Sequence, residues 1–364
     1  MNVSDSLSKK IINTIVYYDI LDYPLTAFEL WKYLTATSGD AIEKYKCSLG
    51  EVVEALDSEE TKKRIEEYRG FYFLRGRNNL VEKRIQNDKN SIAKYKIAER
   101  VVWWLRFIPF VRMIAVTGTL AMKNPKFGSD IDFFVVLEKG RIFTGRLLVT
   151  AMVHLSGKRR YGRKIKNRIC LNYFITTGSL VIQRQDLFGA NEYSFMYPLF
   201  SANVIPTEAK RSGGIDKNEA VASHRVVHED PSTTLGMTKN SVFCQFCEKN
   251  IEWIKKFKPN WEAPEIEPAK YYTKHGKIGE SIQKSNETLI NFLGGDIIES
   301  WLKRKQIEKI KANPLTRKGG AYIEATDDNL IFLPEPQGVK IYGEYEKRLN
   351  ELTSSGAVYD ESFG

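Results

Sequence analysis

Two aspartates two residues apart, Asp130 and Asp132, open a run of apolar residues and are the side chains best suited to chemistry in this sequence. The unbroken apolar run at 131–137 predicts a strand that is covered on both faces. Because side chains alternate along a strand, the two carboxylates are expected on the same face. Hard oxygen ligands in this arrangement suit Mg²⁺, which keeps some waters and takes further ligands from phosphate.

Gly118 and Thr119 follow another predicted strand, at residues 110–117. A glycine at a strand end lets backbone N–H groups approach a phosphate closely, and the threonine hydroxyl adds a further donor. Together with the two aspartates, this spacing predicts a site for a nucleoside triphosphate (NTP) and its metal ion. The spacing alone also allows an ordinary turn that Ser129 caps, with both aspartates in water.

Residues 117–136 resemble the nucleotidyltransferase superfamily, which has the polymerase-beta-like fold. The minimal nucleotidyltransferases of this superfamily carry the motif G-S-x-A-R-G-x-x-x-x-x-S-D-I-D. This chain keeps the spacing, but Thr119 replaces the Ser and Met122-Lys123 replaces Arg-Gly, so Lys123 or Lys126 would have to make any phosphate contact of that Arg. The residues that match are Gly118, Ala121, Ser129, Asp130, Ile131 and Asp132.

The resemblance covers residues 110–200 and implies a mixed sheet, an NTP substrate and Mg²⁺ or Mn²⁺ as the metal. It implies transfer of a nucleoside monophosphate to an acceptor, which is open between an RNA end, a protein hydroxyl and a small molecule. Asp130 and Asp132 would be the catalytic and metal-binding residues. The nucleotide-binding residues would be Gly118, Thr119, Lys123, Lys126 and Ser129.

Active members of this superfamily usually have a third carboxylate on a later strand, which completes the metal site and can act as the base. The corresponding predicted strand, 169–176, offers Asn172 instead. An amide can bind a metal through its oxygen, so Asn172 is a candidate third ligand, but it cannot accept a proton. Asp186 and Glu192 are candidates for a displaced carboxylate. The alternative is that the chain is a catalytically silent, nucleotidyltransferase-like regulatory protein that binds nucleotide or DNA.

Seven of the eleven residues at 158–168 are Lys or Arg, and this segment joins the helix after Asp132 to the strand with Asn172. Such a segment favours contact with the phosphates of a polynucleotide or a triphosphate, and Tyr161 is available for stacking. A solvated charged surface is the alternative. The candidate phosphate-binding residues are Lys158, Arg159, Arg160, Arg163 and Lys164.

The net charge of +10 and the pI of about 9.2 suit an anionic partner such as nucleic acid, or a solvated basic surface. The polar start lacks an apolar signal core, which argues against secretion. The most apolar stretch, 101–116, contains Arg106, Pro109 and Arg112 and is too short to span a bilayer. We therefore expect a cytoplasmic protein without a membrane segment.

The order of predicted elements indicates an α+β fold and divides the chain into parts. Three helices followed by a hairpin at the start are the order of a winged helix. A long helix then leads to a nucleotidyltransferase-like mixed sheet with flanking helices. The parts are a small winged-helix-like domain (1–78), a linking helix (79–109), a nucleotidyltransferase-like domain (110–205), an exposed or disordered insertion (206–240) and a mainly helical C-terminal region (241–364).

Capping boxes predict two helix starts in the first domain, at Thr26 with Glu29 and at Ser48 with Glu51. The run 65–74 predicts a hairpin. Further strands are predicted at 110–117, 131–137 and 169–176, and helices at 87–108, 141–155, 185–201, 241–257 and 279–312, the last interrupted at Gly294-Gly295.

Overall fold

The computed structural model describes residues 3–36, 46–203, 241–263 and 276–354. The insertion predicted at 206–240 lies outside the described residues. Within the described ranges, no helix combines the length and the apolar character needed to cross a membrane.

The first part of the chain contains the elements α1 (Val3–Ile20), β1 (Leu25–Thr26), α2 (Ala27–Lys32), α3 (Leu49–Leu56), α4 (Glu59–Lys62), β2 (Ile65–Tyr68) and β3 (Phe71–Leu74). The strands form an antiparallel sheet in the order β1-β3-β2. Both predicted capping boxes form at the starts of α2 and α3. The three predicted helices and the hairpin form, together with a further short helix, α4, and the short strand β1, while the identification of this part with a winged helix stays a prediction.

The long helix α5 (Asn79–Leu105) leads to a six-stranded sheet. The elements of the sheet region are β4 (Val111–Val116), α6 (Gly118–Ala121), β5 (Ile131–Leu137), α7 (Ile142–Leu155), β6 (Ile169–Thr176), α8 (Leu187–Ser194) and β7 (Tyr197–Ser201). The strand β5 runs antiparallel to β4 and parallel to β6, and β7 pairs with the other edge of β4. The predicted α+β class, with a mixed sheet and flanking helices, is therefore confirmed.

The helix predicted at 185–201 is shorter than expected, because its second half is the strand β7. Asp186 caps the start of α8 by accepting a hydrogen bond from the Gly189 backbone N–H at 2.6 Å. Pro198 would interrupt a helix but is tolerated in β7, which lies at an edge of the sheet. The prediction of one helix was wrong because tertiary pairing with β4 decides the conformation of a short apolar run.

The C-terminal part contains α9 (Val242–Phe257), α10 (Lys277–Phe292), α11 (Gly295–Ala312), a 3₁₀ turn (Pro314–Arg317), β8 (Tyr322–Ala325), β9 (Asn329–Leu333) and α12 (Gln337–Ser354). The predicted interruption at Gly294-Gly295 is confirmed, and Gly294 adopts a left-handed conformation with φ +84°. This part is not only helical, because the antiparallel pair β8 and β9 extends the central sheet beyond β6. The complete strand order is β7-β4-β5-β6-β9-β8.

Each face of the central sheet is buried against a different set of helices. Ile114 and Val135 belong to one core, which also contains buried residues of α5, α7 and α11. Met113, Phe134 and Ile175 belong to the other core, which is shared with α1, α8, α9 and α12. The helices α1, α8, α9 and α12 therefore cover the face of the sheet that carries Asp132, since Asp132 and Phe134 are two residues apart in β5.

The first turn of α7 is capped from outside by Glu299 of α11. Glu299 accepts hydrogen bonds from the backbone N–H groups of Phe143 at 2.8 Å and Thr144 at 2.9 Å, while the N-cap residue of α7, Arg141, provides no side-chain cap. We expect Glu299→Ala to lower the free energy of unfolding by about 1–3 kcal/mol, because it leaves these donors unpaired. Urea denaturation measures the change. Glu308→Ala, an exposed change on the same helix, should leave the urea midpoint unaltered, and equal midpoints for the two variants would contradict this role.

Candidate functional site

Gly118 lies directly against Asp132. The backbone N–H of Thr117 donates to the carbonyl of Asp132 at 3.2 Å, which brings the end of β4 beside the start of β5. Gly118 then adopts φ +64° at the start of α6, and a Cβ added to it would lie 3.1 Å from Oδ2 of Asp132. Glycine is needed here both for the left-handed conformation and for the close approach to the carboxylate.

Asp130 and Asp132 come together with Cys170 at one end of the sheet. One carboxylate oxygen of each aspartate and the sulfur of Cys170 lie within 4.8 Å of one another. The parallel register of β5 and β6 places Cys170 opposite Asp132. The predicted pairing of the two aspartates on one face is confirmed, and the third side chain in the group is a thiol.

The residue of β6 that lies opposite Asp132 is Cys170 and not the predicted third ligand, Asn172. The register changes from Asp132 opposite Cys170 to Phe134 opposite Tyr173, so β6 has one residue more than β5 over this stretch. Cys170 lies opposite Asp132 in the regular register before this irregularity, and Asn172 falls within the irregular stretch, out of step with that pair. Sequence alternation alone cannot reveal such a bulge.

Arg160 of the basic segment bonds directly to this cluster. Its Nη1 donates to Oδ2 of Asp130 at 2.6 Å and lies 3.4 Å from Sγ of Cys170. The backbone N–H of Arg160 donates to the carbonyl of Ile169 at 2.9 Å, which holds the segment beside the start of β6. The sequence placed Arg160 among the phosphate contacts, and the structure places it beside Asp130.

The carboxylate of Asp132 is held in surroundings that disfavour its charge. Burial, and then the charge of Asp130, raise the pKa of Asp132 to about 6. Burial and the same two carboxylates raise the pKa of the Cys170 thiol to about 12, so the thiol is neutral at pH 7. Crowded, half-buried acids of this kind are typical of sites that bind a cation or handle protons.

A third carboxylate, Glu192 of α8, is electrostatically linked to the site. Burial, then the charge of Asp132 and then that of Asp186 raise the pKa of Glu192 to about 8. In the described part of the chain, its carboxyl has no hydrogen-bond or ion-pair partner. Of the two predicted candidates for a displaced carboxylate, Glu192 is therefore the available one. Asp186 caps α8 and pairs with Arg184 at 2.7 Å.

Lys94 of α5 fixes the loop that ends at Asp130, and sequence reasoning missed it. Its Nζ donates to the carbonyl of Ser129 at 2.6 Å and to Oδ1 of Asn167 at 2.8 Å, and its side chain is buried. The backbone N–H of Asn167 also donates to the carbonyl of Ser129, at 3.2 Å. The available signal was a lysine four residues before Ala98, on the face of the helix that is buried.

Of the other predicted nucleotide-binding residues, Thr119 lies in α6, and Lys123, Lys126 and Ser129 lie on the loop between α6 and β5. Thr119, Lys123 and Lys126 are exposed. The hydroxyl of Ser129 donates to the carbonyl of Lys126 at 2.9 Å, so it also closes the turn before Asp130. Asn124 anchors this loop to the first part of the chain through the carbonyl of Leu21.

The remaining predicted phosphate contacts lie on the basic segment beside the site. Arg163 and Lys164 are exposed, and Lys158 and Arg159 are half-buried. The ammonium group of Lys164 bonds to the hydroxyl of Tyr161 at 3.0 Å.

Comparisons of the chain with protein-family models, with curated proteins and with solved structures gave no match, so the family resemblance depends on the residues from Gly118 to Asp132 alone.

Proposed function

We propose that this protein is a nucleotidyltransferase that uses Mg²⁺ or Mn²⁺ and transfers a nucleoside monophosphate from an NTP to an acceptor. The observation that carries the proposal is the close approach of Gly118 to Asp132, at the point where Asp130 joins the same cluster. An ordinary turn with solvated aspartates does not need a glycine against a carboxylate. A phosphate site does, because the backbone has to reach the ligand.

The donor set fits a hard divalent cation through the two carboxylates. Asp130 and Asp132 would hold the ion, since their oxygens converge and the surroundings of Asp132 disfavour an uncompensated negative charge. The Cys170 thiol is neutral and is not a ligand that Mg²⁺ prefers. The chemistry that the ion supplies is neutralisation of the triphosphate charge.

The residues of the chain then divide into phosphate-holding and proton-accepting groups. Gly118 and Thr119 would hold the phosphates at the end of β4, and Arg160 beside Asp130 would add positive charge. Glu192 is the candidate general base, because its pKa of about 8 makes its carboxylate a strong proton acceptor in the fraction that is ionised. Lys94 is a positioning residue that acts through Ser129.

Cys170 favours a second function, a catalytically silent protein that binds nucleotide. In active relatives a carboxylate is expected on the strand beside the Asp pair, whereas β6 places a neutral thiol there. In this alternative the site would still take the NTP, and the first part of the chain would contact DNA. Both functions include nucleotide binding, but only the nucleotidyltransferase turns the NTP over.

Incubation of the protein with labelled ATP, CTP, GTP or UTP, Mg²⁺ and total RNA or protein tests the proposal. We expect label transfer that is lost in Asp130→Ala/Asp132→Ala, because both metal-binding carboxylates are removed. Glu192→Gln should keep the NTP-dependent rise in melting temperature while losing transfer. An NTP-dependent rise without any transfer would support the silent alternative, and no rise at all would reject both functions.

A further inference from the structure

The segment of residues 158–168, named here the basic loop, has a charge that the described structure does not compensate. It contains seven cationic residues and no acid. Among the described residues, the ion pair of Arg160 with Asp130 is its one contact with a carboxylate. Arg163 and Lys166 are exposed, so their charge faces solvent. A rigid surface with this excess of positive charge attracts a polyanion.

Two exposed aromatic rings accompany this charge. Tyr161 of the basic loop is 48% exposed and Phe127, three residues before Asp130, is 68% exposed. A lysine lies over each ring, Lys164 at 5.2 Å from the centroid of Tyr161 and Lys166 at 3.4 Å from that of Phe127. Open rings beside cations are the arrangement on which unpaired bases stack while their phosphates are neutralised.

Hydrogen bonds along its length hold the basic loop in one position. The N–H of Ile169 donates to the carbonyl of Lys158 at 2.7 Å, and the N–H of Lys164 donates to that of Tyr161 at 3.0 Å. Lys94 bonds to both Asn167 and Ser129, which connects the far end of the loop to the residue before Asp130. The basic loop is therefore preorganised beside the two aspartates.

From this juxtaposition we propose that the basic loop, with Phe127, binds single-stranded nucleic acid and presents its 3′ end to Asp130 and Asp132. A duplex would hide the base faces that Tyr161 and Phe127 can stack on, and an acidic peptide would leave both rings unused. The assignment of the 3′ end as acceptor rests on the proposed function, whereas the proposal that this surface binds single strands does not. Single-stranded RNA and DNA share the chemistry that the surface recognises.

The transfer step that follows is balanced. The 3′-hydroxyl oxygen forms a bond to the α-phosphorus of the NTP, and the bond from that phosphorus to the oxygen bridging to the β-phosphate breaks. Pyrophosphate leaves with the electron pair of that bond. The hydroxyl proton passes to the carboxylate of Glu192, and the nucleic acid is one nucleotide longer.

Fluorescence anisotropy with fluorescein-labelled oligoadenylate of about 12 nucleotides tests the surface, since single-strand sites cover about 4–16 nucleotides. RNA and DNA versions are titrated with the full chain in EDTA without NTP, so binding is measured apart from catalysis. We expect Arg163→Ala/Lys166→Ala to weaken binding about tenfold or more and to lower the salt-dependence slope by about two, as loss of two phosphate contacts requires. Tyr161→Leu should weaken binding of single strands and leave that slope unchanged.

The matched control is Lys277→Ala/Lys284→Ala on α10, which removes the same charge from exposed positions of the chain. This helix contacts the start of β4 through Glu287 and Arg112, whereas the aspartates lie beside the end of β4. Equal weakening by the control, equal binding of a duplex, or equal binding of polyglutamate would overturn the inference. Asp130→Ala/Asp132→Ala should still bind. If the protein transfers the nucleotide label to another acceptor but does not bind the oligonucleotide, this inference is rejected and the proposed function stands. If it binds the oligonucleotide but transfers no label, the proposed function is rejected and the binding surface stands.

Discussion

Gly118→Ala should abolish the NTP-dependent rise in melting temperature and lower transfer about 100-fold or more, as a displaced catalytic group does. The new Cβ would lie 3.1 Å from Oδ2 of Asp132, which is closer than ordinary contacts allow, and the carboxylate would have to move. The left-handed conformation of Gly118, with φ +64°, adds about 1–2 kcal/mol of strain for a residue with a side chain. Melting curves with and without NTP, and a transfer assay, measure both effects.

Gly140→Ala is the control that separates backbone strain from displacement of the Asp132 carboxylate. Gly140 has a similar backbone conformation, with φ +77°, but a Cβ added there meets nothing within 4 Å. Both variants should therefore lose similar stability, because the strain is the same, while only Gly118→Ala loses nucleotide. The assignment of this turn to phosphate binding would be contradicted if Gly118→Ala still bound NTP, or if both variants lost NTP binding to the same extent.

The parts of the site that the sequence predicts are those that local rules determine. The apolar run 131–137 predicts the bounds of β5, and alternation places Asp130 and Asp132 on one face. The position of Gly118 directly after a strand is also predicted, and in the structure it follows β4 with a positive φ. Each of these inferences depends only on residues that are close along the chain.

The side chains that complete the site depend on contacts distant in sequence, which no local pattern contains. The pairing of β6 with β5 puts Cys170 opposite Asp132, and the bulge that follows puts Asn172 out of step with that pair. Lys94 reaches the site from a helix more than thirty residues earlier, as its contacts with Ser129 show. Glu192 was only one of two candidates until the packing of α8 showed that Asp186 serves as a cap.

The extent of the sheet could not be predicted for a similar reason. Strands β7, β8 and β9 are short and lack a clear alternation of buried and exposed residues, as the pattern of β8 shows, with all residues half-buried. Their conformation is fixed by pairing with β4 and β6. The same pairing explains why residues 322–333 extend the central sheet although their sequence lies within a mainly helical region.

Asp132→Asn is expected to raise stability while removing function. The amide loses a metal ligand, so transfer should fall about 100- to 1000-fold, the usual cost of one electrostatic contact in a transition state. In EDTA at pH 8 the free energy of unfolding should rise by about 1–3 kcal/mol, because a carboxylate with a raised pKa is no longer kept charged. An aspartate in water would produce neither effect.

The dependence of this gain on pH is set by the pKa of Asp132, about 6 in the folded protein against 3.8 as its ordinary value. Between these values the folded state holds the proton more tightly than the unfolded state, so wild-type stability falls as pH rises from about 4 to 6. Asp132→Asn lacks that fall, and its advantage should be absent near pH 3.5 and complete above pH 7. Asp130→Asn is the control, because it breaks the ion pair with Arg160 and should lose transfer without gaining stability. Equal stability of wild type and Asp132→Asn across this range, measured by urea denaturation, would show that Asp132 is an ordinary surface acid.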